Sequence, residues 1–282
     1  MWKTTLYFCM VCVFCGVGSA GEAKQNSGTF ESRSFDDVTL HIFTTTEGPG
    51  DITYILENKD TLVLFELPSI HHLSRQLKAY VDKLGKPVAA ILVGYHVGGA
   101  SYYPGIPIYA HKNAVDFIDS GAEMRVRKIV AAGNPDFDFD VIRPNNVVLS
   151  SGQTIGEIDF VFVTPTTSPI PGMNVIIPSI NAYYQHVLGG ASHPNLVSID
   201  HIDAAIAELK QQAQGNFALM MDSHNGIEAP DAIERKIAYL EKLKDIRETS
   251  SNQEEFIKAV RDAYPLHKSE NMLRATAKNL YK

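Results

Sequence analysis

The chain is poor in cysteine, and the few cysteines it has are confined to its first residues. All three, Cys9, Cys12 and Cys15, lie within residues 1–20 of a chain of 282 residues. Removal of that segment leaves no thiol for a disulfide framework or for a thiolate nucleophile. A chain of this length can bury a core that stabilises a domain without cross-links. The sequence therefore excludes a small disulfide-stapled scaffold and indicates a large globular domain.

The sequence also lacks runs of basic residues and long apolar stretches. Its 25 Lys and Arg are outnumbered by 32 Asp and Glu, which gives a net charge of −7. Because clustered cations are needed to neutralise phosphates, we exclude a nucleic-acid partner. After residue 20, no stretch approaches the roughly 20 apolar residues of a transmembrane helix. The remaining partners are a small-molecule ligand or another protein.

Residues 1–20 have the pattern of a cleaved export signal. Lys3 precedes an apolar run from Leu6 to Cys15, and the small residues Gly18-Ser19-Ala20 follow it. This order of charged, apolar and small residues is what a signal peptidase recognises. We predict that the mature chain begins near Gly21 and that the protein is secreted or periplasmic.

Beyond this segment, strands and helices alternate without a strict rhythm. Residues 21–36 are polar and predict a linker, and residues 37–282 predict a single domain. The alternating run VTLHIFTT and the continuous apolar run VAAILVG are typical of strands. Apolar residues at helical spacing, as in HHLSRQLKAYVDKLG, predict helices, which dominate the last third. Strand-rich halves covered by helices predict two mixed β-sheets packed face to face.

Four short strings, taken in order, resemble the metallo-β-lactamase-fold hydrolases. They are TYILENKDTLVLFELP, AAILVGYHVGGASYYPGIPIYAH, VIIPSINAYYQHVLGG and FALMMDSHNG. The second string resembles the strand that enters the family's metal loop, the glycine pair after it and the next strand. The resemblance spans Val38 to Ile246 and implies an α/β fold, an αββα sandwich of two mixed β-sheets flanked by helices. It also implies hydrolase ancestry.

The family's metal loop is reduced here to one histidine. In the family, a Thr-His-x-His-x-Asp-His loop directly after a strand supplies most ligands of two zinc ions. In this chain only Gly94 and Tyr95 stand between that strand and His96. The resemblance also places His224, in the string DSHNG, at the position of the family's last histidine. Two family ligand positions therefore still carry an imidazole.

By the resemblance, the other ligand positions lack the residues that the family uses. Thr166 or Thr167 stands where a middle histidine belongs, and His186-Val187 stands where a bridging aspartate belongs. Threonine is a poor neutral zinc ligand and valine is none. A third ligand of a weak zinc site would have to come from His186, His193 or Asp222.

Aromatic and polar residues gather around the expected cleft. Tyr95, Tyr102 and Tyr183 lie in the strings quoted above, and Asp222 and Asn225 lie in the last of them. Because small-molecule pockets are mainly apolar with a few placed polar groups, we predict that these residues line a ligand pocket. The alternative is that the tyrosines belong to the core or to an interface.

Two functional hypotheses follow from the shortened loop. The favoured one is a secreted pseudoenzyme: a non-catalytic binding protein that has lost most dinuclear-zinc ligands and holds no zinc tightly. The alternative is a metal-dependent hydrolase with a remodelled mononuclear site built from His96, His224 and one further residue. Such a site would act on an ester, amide or phosphoester. The metal content of the purified protein distinguishes the two.

Overall fold

The computed structural model describes residues 28–47, 50–94, 96–131, 134–148, 152–163, 172–186, 188 and 190–282. Two β-sheets pack face to face, and helices cover both outer faces. The predicted αββα sandwich is therefore confirmed. In these ranges, every helix is too short or too polar to cross a membrane.

The first sheet has seven strands in the described part of the chain, and they lie side by side in chain order. Neighbouring strands run antiparallel from β1 to β4 and parallel from β4 to β7, so the sheet is mixed. The strands are β1 (Thr29–Ser34), β2 (Thr39–Thr44), β3 (Ile52–Glu57), β4 (Leu62–Phe65), β5 (Val88–Val93), β6 (Ile108–His111) and β7 (Asn146–Val148).

The second sheet is also mixed, with six strands among the described residues in the order β13-β12-β11-β10-β9-β8. Only β11 and β12 run parallel there; the other neighbours are antiparallel. The strands are β8 (Gly152–Ile155), β9 (Ile158–Val163), β10 (Asn174–Ile177), β11 (Ala182–Gln185), β12 (Leu219–Asp222) and β13 (Gly226–Glu228).

The helices divide between the two outer faces. Apolar residues of α1 and α2 pack on the first sheet, and those of α4 to α7 pack on the second. Within the described ranges the helices are α1 (His71–Leu84), α2 (Lys112–Asp119), α3 (Ala122–Val130), α4 (Ile199–Gln212), α5 (Ala232–Thr249), α6 (Gln253–Ala263) and α7 (Glu270–Leu280).

Strand β4 shows why these strands read as continuous apolar runs. Val63 and Phe65 point into the core between the sheets. Leu62 and Leu64 point outward and lie under the helices. Each fully buried side chain of this size contributes roughly 1.5–3 kcal/mol relative to an exposed one. The strand is therefore held on both faces, which fixes the position of the residue that follows it.

The predicted boundary between linker and domain needs correction, because β1 lies inside residues 21–36. It pairs with β2 along its whole length. Its Phe30 ring stacks on Tyr80 and Phe43, with centroids 3.9 and 4.4 Å apart. The other residues of β1 are exposed because it is an edge strand. An edge strand with one anchoring aromatic has the polar composition of a linker, which is why the sequence pattern concealed it.

Candidate metal centre

Four polar residues follow four strand ends and meet at one edge of the two sheets. Glu66 directly follows β4, and His96 comes shortly after β5. His186 directly follows β11, and His224 lies between β12 and β13. Because β4 and β5 are parallel, as are β11 and β12, the carboxyl ends of each pair lie side by side. Face-to-face packing of the sheets brings the two pairs together.

The three histidines converge through their ring nitrogens. One nitrogen from each of His96, His186 and His224 lies within 4.8 Å of the other two. The Nε2 atoms of His186 and His224 are 3.3 Å apart. The His96 ring centroid lies 5.2 Å from that of His186 and 6.4 Å from that of His224. A single metal ion can reach all three rings.

Glu66 lies beside His96 and His186, and its side chain is only 1% exposed. Its Oε1 accepts hydrogen bonds from the Gly94 amide and the Tyr184 hydroxyl, both at 2.8 Å. The same oxygen lies 3.1 Å from His186 Nδ1 and accepts its proton. Its other oxygen, Oε2, lies 3.6 Å from His96 Nε2. Glu66 therefore orients His186 so that Nε2 faces the centre.

Local backbone geometry places this carboxylate. Glu66 has a φ of 52°, in the left-handed region that residues with side chains seldom adopt. Gly94 approaches it so closely that a Cβ there would lie 2.5 Å from Glu66 Oε1. Strained backbone of this kind is kept where the surrounding structure enforces it, and it concentrates at functional sites.

Asp51 supports the third histidine. Its Oδ1 lies 3.9 Å from His224 Nδ1, and its Oδ2 accepts a hydrogen bond from the Ser69 amide at 2.9 Å. Because Nδ1 of His224 faces this carboxylate, Nε2 faces the centre of the group. A carboxylate behind a histidine is the arrangement that orients metal-binding imidazoles.

Asp222 organises the loop that carries His224. Its Oδ1 accepts hydrogen bonds from the amides of His224 and Asn225, at 2.7 and 3.0 Å. Its Oδ2 accepts from the Leu188 amide at 2.6 Å. These bonds tie the loop after β12 to the loop after β11. Asp222 thus fixes the backbone of the two loops that carry His186 and His224.

Burial favours the neutral, metal-binding form of His186 and His96. Desolvation, together with the proximity of His224, lowers the pKa of His186 to about 3. Desolvation also lowers the pKa of His96, against the opposing effect of Glu66. Since a protonated ring cannot bind a metal, low pKa values favour occupancy at neutral pH.

The group fits one divalent metal ion. Two ligand atoms about 2.1 Å from a zinc ion in tetrahedral geometry lie about 3.4 Å from each other. The 3.3 Å separation of the His186 and His224 Nε2 atoms agrees with this value. Imidazole nitrogens are ligands that suit zinc and neighbouring transition metals. When bound, such an ion supplies Lewis acidity.

The structure brings His96, His224 and His186 together and places His193 elsewhere. His193 Nδ1 lies 2.8 Å from the hydroxyl of Tyr239, a residue of α5, and is outside the three-histidine group. As possible third ligands, His186 and His193 could not be separated by sequence, because both follow β11. In the structure His186 joins the group because it directly follows the end of β11, at the edge where the other two histidines lie.

Tyr95, predicted to line the pocket, and Thr166, Thr167 and Val187, which stand at the family's ligand positions, lie outside the described residues.

The other tyrosines and the asparagine predicted to line a pocket do not share one set of surroundings. The Tyr102 hydroxyl bonds His71 Nδ1 at 3.0 Å, and its ring packs on the outer core of the first sheet. Tyr183 is fully buried beneath the helices of the second sheet and stacks on Phe217. Asn225 packs against Gly190, which has a φ of 61°. Tyr102 and Tyr183 fit the alternative of packing residues.

Sequence reasoning missed Glu66, Asp51 and Tyr184. A signal for Glu66 was present, because a carboxylate directly follows the buried apolar strand LVLF. Asp51 likewise directly precedes the apolar strand β3. A charged residue next to a buried strand end lies at the edge where ligands bind in α/β proteins.

Comparison with known proteins identifies the fold. No family model and no curated protein matches the sequence. A metallo-β-lactamase from Pontibacter korlensis is 16% identical, with a TM-score of 0.52 over 76% of this chain and 99% of that one. The DIM-1 metallo-β-lactamase is 13% identical, with a TM-score of 0.55 over 77% of this chain and 97% of that one.

The structural similarity covers more of this chain in a comparison with a longer protein. The sec-alkylsulfatase Pisa1 from Pseudomonas sp. is 14% identical, with a TM-score of 0.64 over 85% of this chain and 48% of that one. This chain thus spans about half the length of the alkylsulfatase. Identities this low identify the fold alone. The chain has the metallo-β-lactamase fold, and its structural relatives include hydrolases.

Proposed function

We propose that the protein is a metal-dependent hydrolase with a mononuclear zinc site formed by His96, His186 and His224. The substrate class is an ester, amide or phosphoester. The observation that carries the proposal is the convergence of three imidazoles, one buried and two half-buried, at the edge of a metallo-β-lactamase fold. In zinc hydrolases of other folds, three protein ligands with a water molecule form the working centre.

The residues around the three histidines support a centre of this kind. Zinc, when bound, polarises a carbonyl or phosphoryl oxygen and lowers the pKa of a water molecule. Glu66 bonds the ring of His186, and the Asp51 carboxylate faces the ring of His224 at 3.9 Å. Fixed orientation of ligands strengthens metal binding. Asp222 fixes the loops from which His186 and His224 project. Each support comes from a separate element, so the group is held from several sides.

A second candidate function is the non-catalytic binding protein that the shortened loop favours. One observation supports it: among the described residues, only one group of three potential ligands occurs, where a dinuclear hydrolase needs two sets. A binding protein would hold its ligand without a metal and would show no metal-dependent turnover. This candidate and the mononuclear hydrolase therefore make opposite predictions for metal content.

Elemental analysis of the purified protein, before and after incubation with zinc, tests the proposal. We expect one zinc ion per chain and zinc-dependent hydrolysis in a panel of chromogenic esters, amides, phosphoesters and sulfate esters. His224→Ala should lose both zinc and hydrolysis, and the control His193→Ala should retain both. A protein that takes up no stoichiometric metal and turns over nothing in the panel would establish the binding-protein candidate instead.

We also propose that the protein is exported. The support is the pattern of residues 1–20, in which Lys3, an apolar run and small residues follow in order. Expression of the full chain followed by N-terminal sequencing of the soluble exported material should give a start near Gly21. Recovery of material that retains Met1 would contradict the proposal.

A further inference from the structure

A cavity of about 420 Å³ lies on the outer face of the second sheet, where α4 and α5 meet. It is lined by the end of α4 and the turn after it, by Met220 of β12 and by the start of α5. The two helices run antiparallel, because Lys210 near the end of α4 pairs with Glu241, and Asp203 nearer its start pairs with Lys244. The end of α4 therefore faces the beginning of α5, with the cavity between them.

The floor of the cavity is apolar and belongs to the core. Met220 and Ile233 line it and are only 1% and 3% exposed. Phe217, which also lines it, stacks on the fully buried Tyr183, with ring centroids 5.4 Å apart. Tyr183 and Met220 are direct neighbours across β11 and β12. Core packing therefore fixes a floor that offers an aromatic ring and a thioether to a ligand.

Backbone geometry holds the Phe217 ring at this floor. Gly215 approaches the ring so closely that a Cβ there would lie 2.3 Å from Cζ of Phe217. Asn216, between the two, has a φ of 47°, in the left-handed region that residues with side chains seldom adopt. The turn after α4 therefore sets the position of the ring.

The rim of the cavity is acidic. Asp231 and Glu234 are exposed there, and none of the described residues that line the cavity is Lys, Arg or His. Asp231 pairs with Arg235, which also pairs with Glu228 at 3.1 Å. Within the described part of the chain, Glu234 forms no ion pair. One carboxylate at the rim is therefore available to a ligand.

We propose that this cavity binds a small organic cation with an apolar body, such as an alkylammonium or arylammonium ion. Its volume falls within the range of small-molecule pockets, which are mainly apolar with a few placed polar groups. The apolar body would pack on Phe217, Met220 and Ile233, and the charge would face Glu234. The inference concerns a second site and does not depend on the proposed metal centre.

The helix ends beside the cavity do not decide the charge of the ligand. The C-terminus of α4 and the N-terminus of α5 carry partial charges of opposite sign, which offset each other in the space between them. Glu234 lies in the first turn of α5, where a carboxylate stabilises a helix with or without a ligand. The combination of cavity, apolar floor and free carboxylate therefore carries the proposal, and the carboxylate alone does not.

Two small molecules of opposite charge test the site in the full chain. The probe is benzyltrimethylammonium, and phenylacetate is an anion with the same ring. Binding is followed by NMR of isotope-labelled methionine methyl groups, in which the Met220 signal is identified by its loss in Met220→Leu. We expect millimolar benzyltrimethylammonium to shift this signal until it saturates, and phenylacetate to leave it in place.

Two variants separate the cavity from its charge. Ala213→Phe places a ring in the cavity from a half-exposed position at its edge, and the probe should then no longer shift the Met220 signal. Glu234→Gln should weaken binding by about two- to fivefold, the range of one exposed ion pair. The matched control Glu248→Gln removes an exposed carboxylate near the other end of α5 and should leave the affinity unchanged. Thermal unfolding verifies that each variant is folded.

Three results would overturn the proposal. A Met220 signal that does not move in the wild type shows that the cavity does not take the probe. Binding that survives in folded Ala213→Phe places the probe elsewhere on the protein. Equal binding of phenylacetate, or an unchanged affinity in Glu234→Gln, rejects a cation as the ligand.

Discussion

Two clusters of histidines in this molecule share a residue type and differ in chemistry. The first is the three-histidine group, in which ring nitrogens of His96, His186 and His224 face one another. The second, here called the aromatic cluster, comprises His193, Tyr239, Tyr264 and His267. In it the His267 ring stacks on Tyr239 at 5.1 Å and 8° between planes. The rings there meet through faces and edges.

The balance of charge differs between the two clusters. The three-histidine group lies against the carboxylates of Glu66 and Asp51. The aromatic cluster lies against Lys236, which is buried and sits 5.4 Å from the centre of the Tyr239 ring. Burial, His267 and Lys236 lower the pKa of His193 to about 4, against the opposing effect of Glu270. Negative charge attracts a metal ion and positive charge repels it, so the neighbours of a histidine decide its role.

The largest expected difference between the clusters is in zinc affinity, when one histidine is removed from either cluster in turn. His186→Ala should weaken zinc binding more than about 100-fold, beyond the cost of losing an outer partner, because it removes a direct ligand. His193→Ala should change the affinity less than twofold. Isothermal titration with zinc measures both. Equal losses in the two variants would show that the clusters are not distinct.

A second prediction concerns the buried cation of the aromatic cluster. Burial lowers the pKa of Lys236 from 10.5 to about 8. Below pH 8 the lysine is charged in both the folded and unfolded states, and its burial costs on the order of 3 kcal/mol. We therefore expect Lys236→Met to raise the free energy of unfolding by about that amount at pH 7.

The pH dependence of this variant provides its control. Between pH 8 and 10.5 the folded protein binds fewer protons at Lys236 than the unfolded protein, so wild-type stability rises with pH relative to the variant. The difference should vanish above pH 10.5. Urea unfolding at several pH values measures it. A difference that stays constant with pH would attribute the stabilisation to packing.

A third, smaller effect is expected from the carboxylate behind His224. Asp51→Asn keeps the bond from the Ser69 amide through the amide oxygen and removes the negative charge facing Nδ1. Loss of such an outer partner typically lowers metal affinity about tenfold. Competition with a chromophoric chelator measures the change. An unchanged affinity would show that His224 is oriented by its loop alone.

The smallest effect is expected within the aromatic cluster. Tyr239→Phe removes the hydroxyl that bonds His193 Nδ1 and preserves the ring stacking. We expect a loss of about 1 kcal/mol in the free energy of unfolding, the usual net value of one hydrogen bond. Zinc binding should be unaffected. Thermal unfolding combined with zinc titration measures both quantities, and a change in zinc affinity would link the clusters.

Particular residues show how far the sequence could be interpreted. The apolar strand before Gly94 and the glycine pair after His96 are local patterns, and they predicted a strand followed by a turn at an edge. The position of His224 was predicted in the same way, from a strand and the loop after it. Strand β1 was not predicted because its partners are in β2 and α1, and its own residues are mostly exposed.

The sequence alone determined the layers of this protein, because alternation and spacing of apolar residues depend only on near neighbours. Tertiary structure decided the site. Glu66 meets Tyr184 and His186 across separations of 118 and 120 residues, and no local pattern links them. The packing of two sheets brings their strand ends to one edge. Only that packing brings His186, and not His193, to His96 and His224, and places the carboxylate that follows β4 beside them.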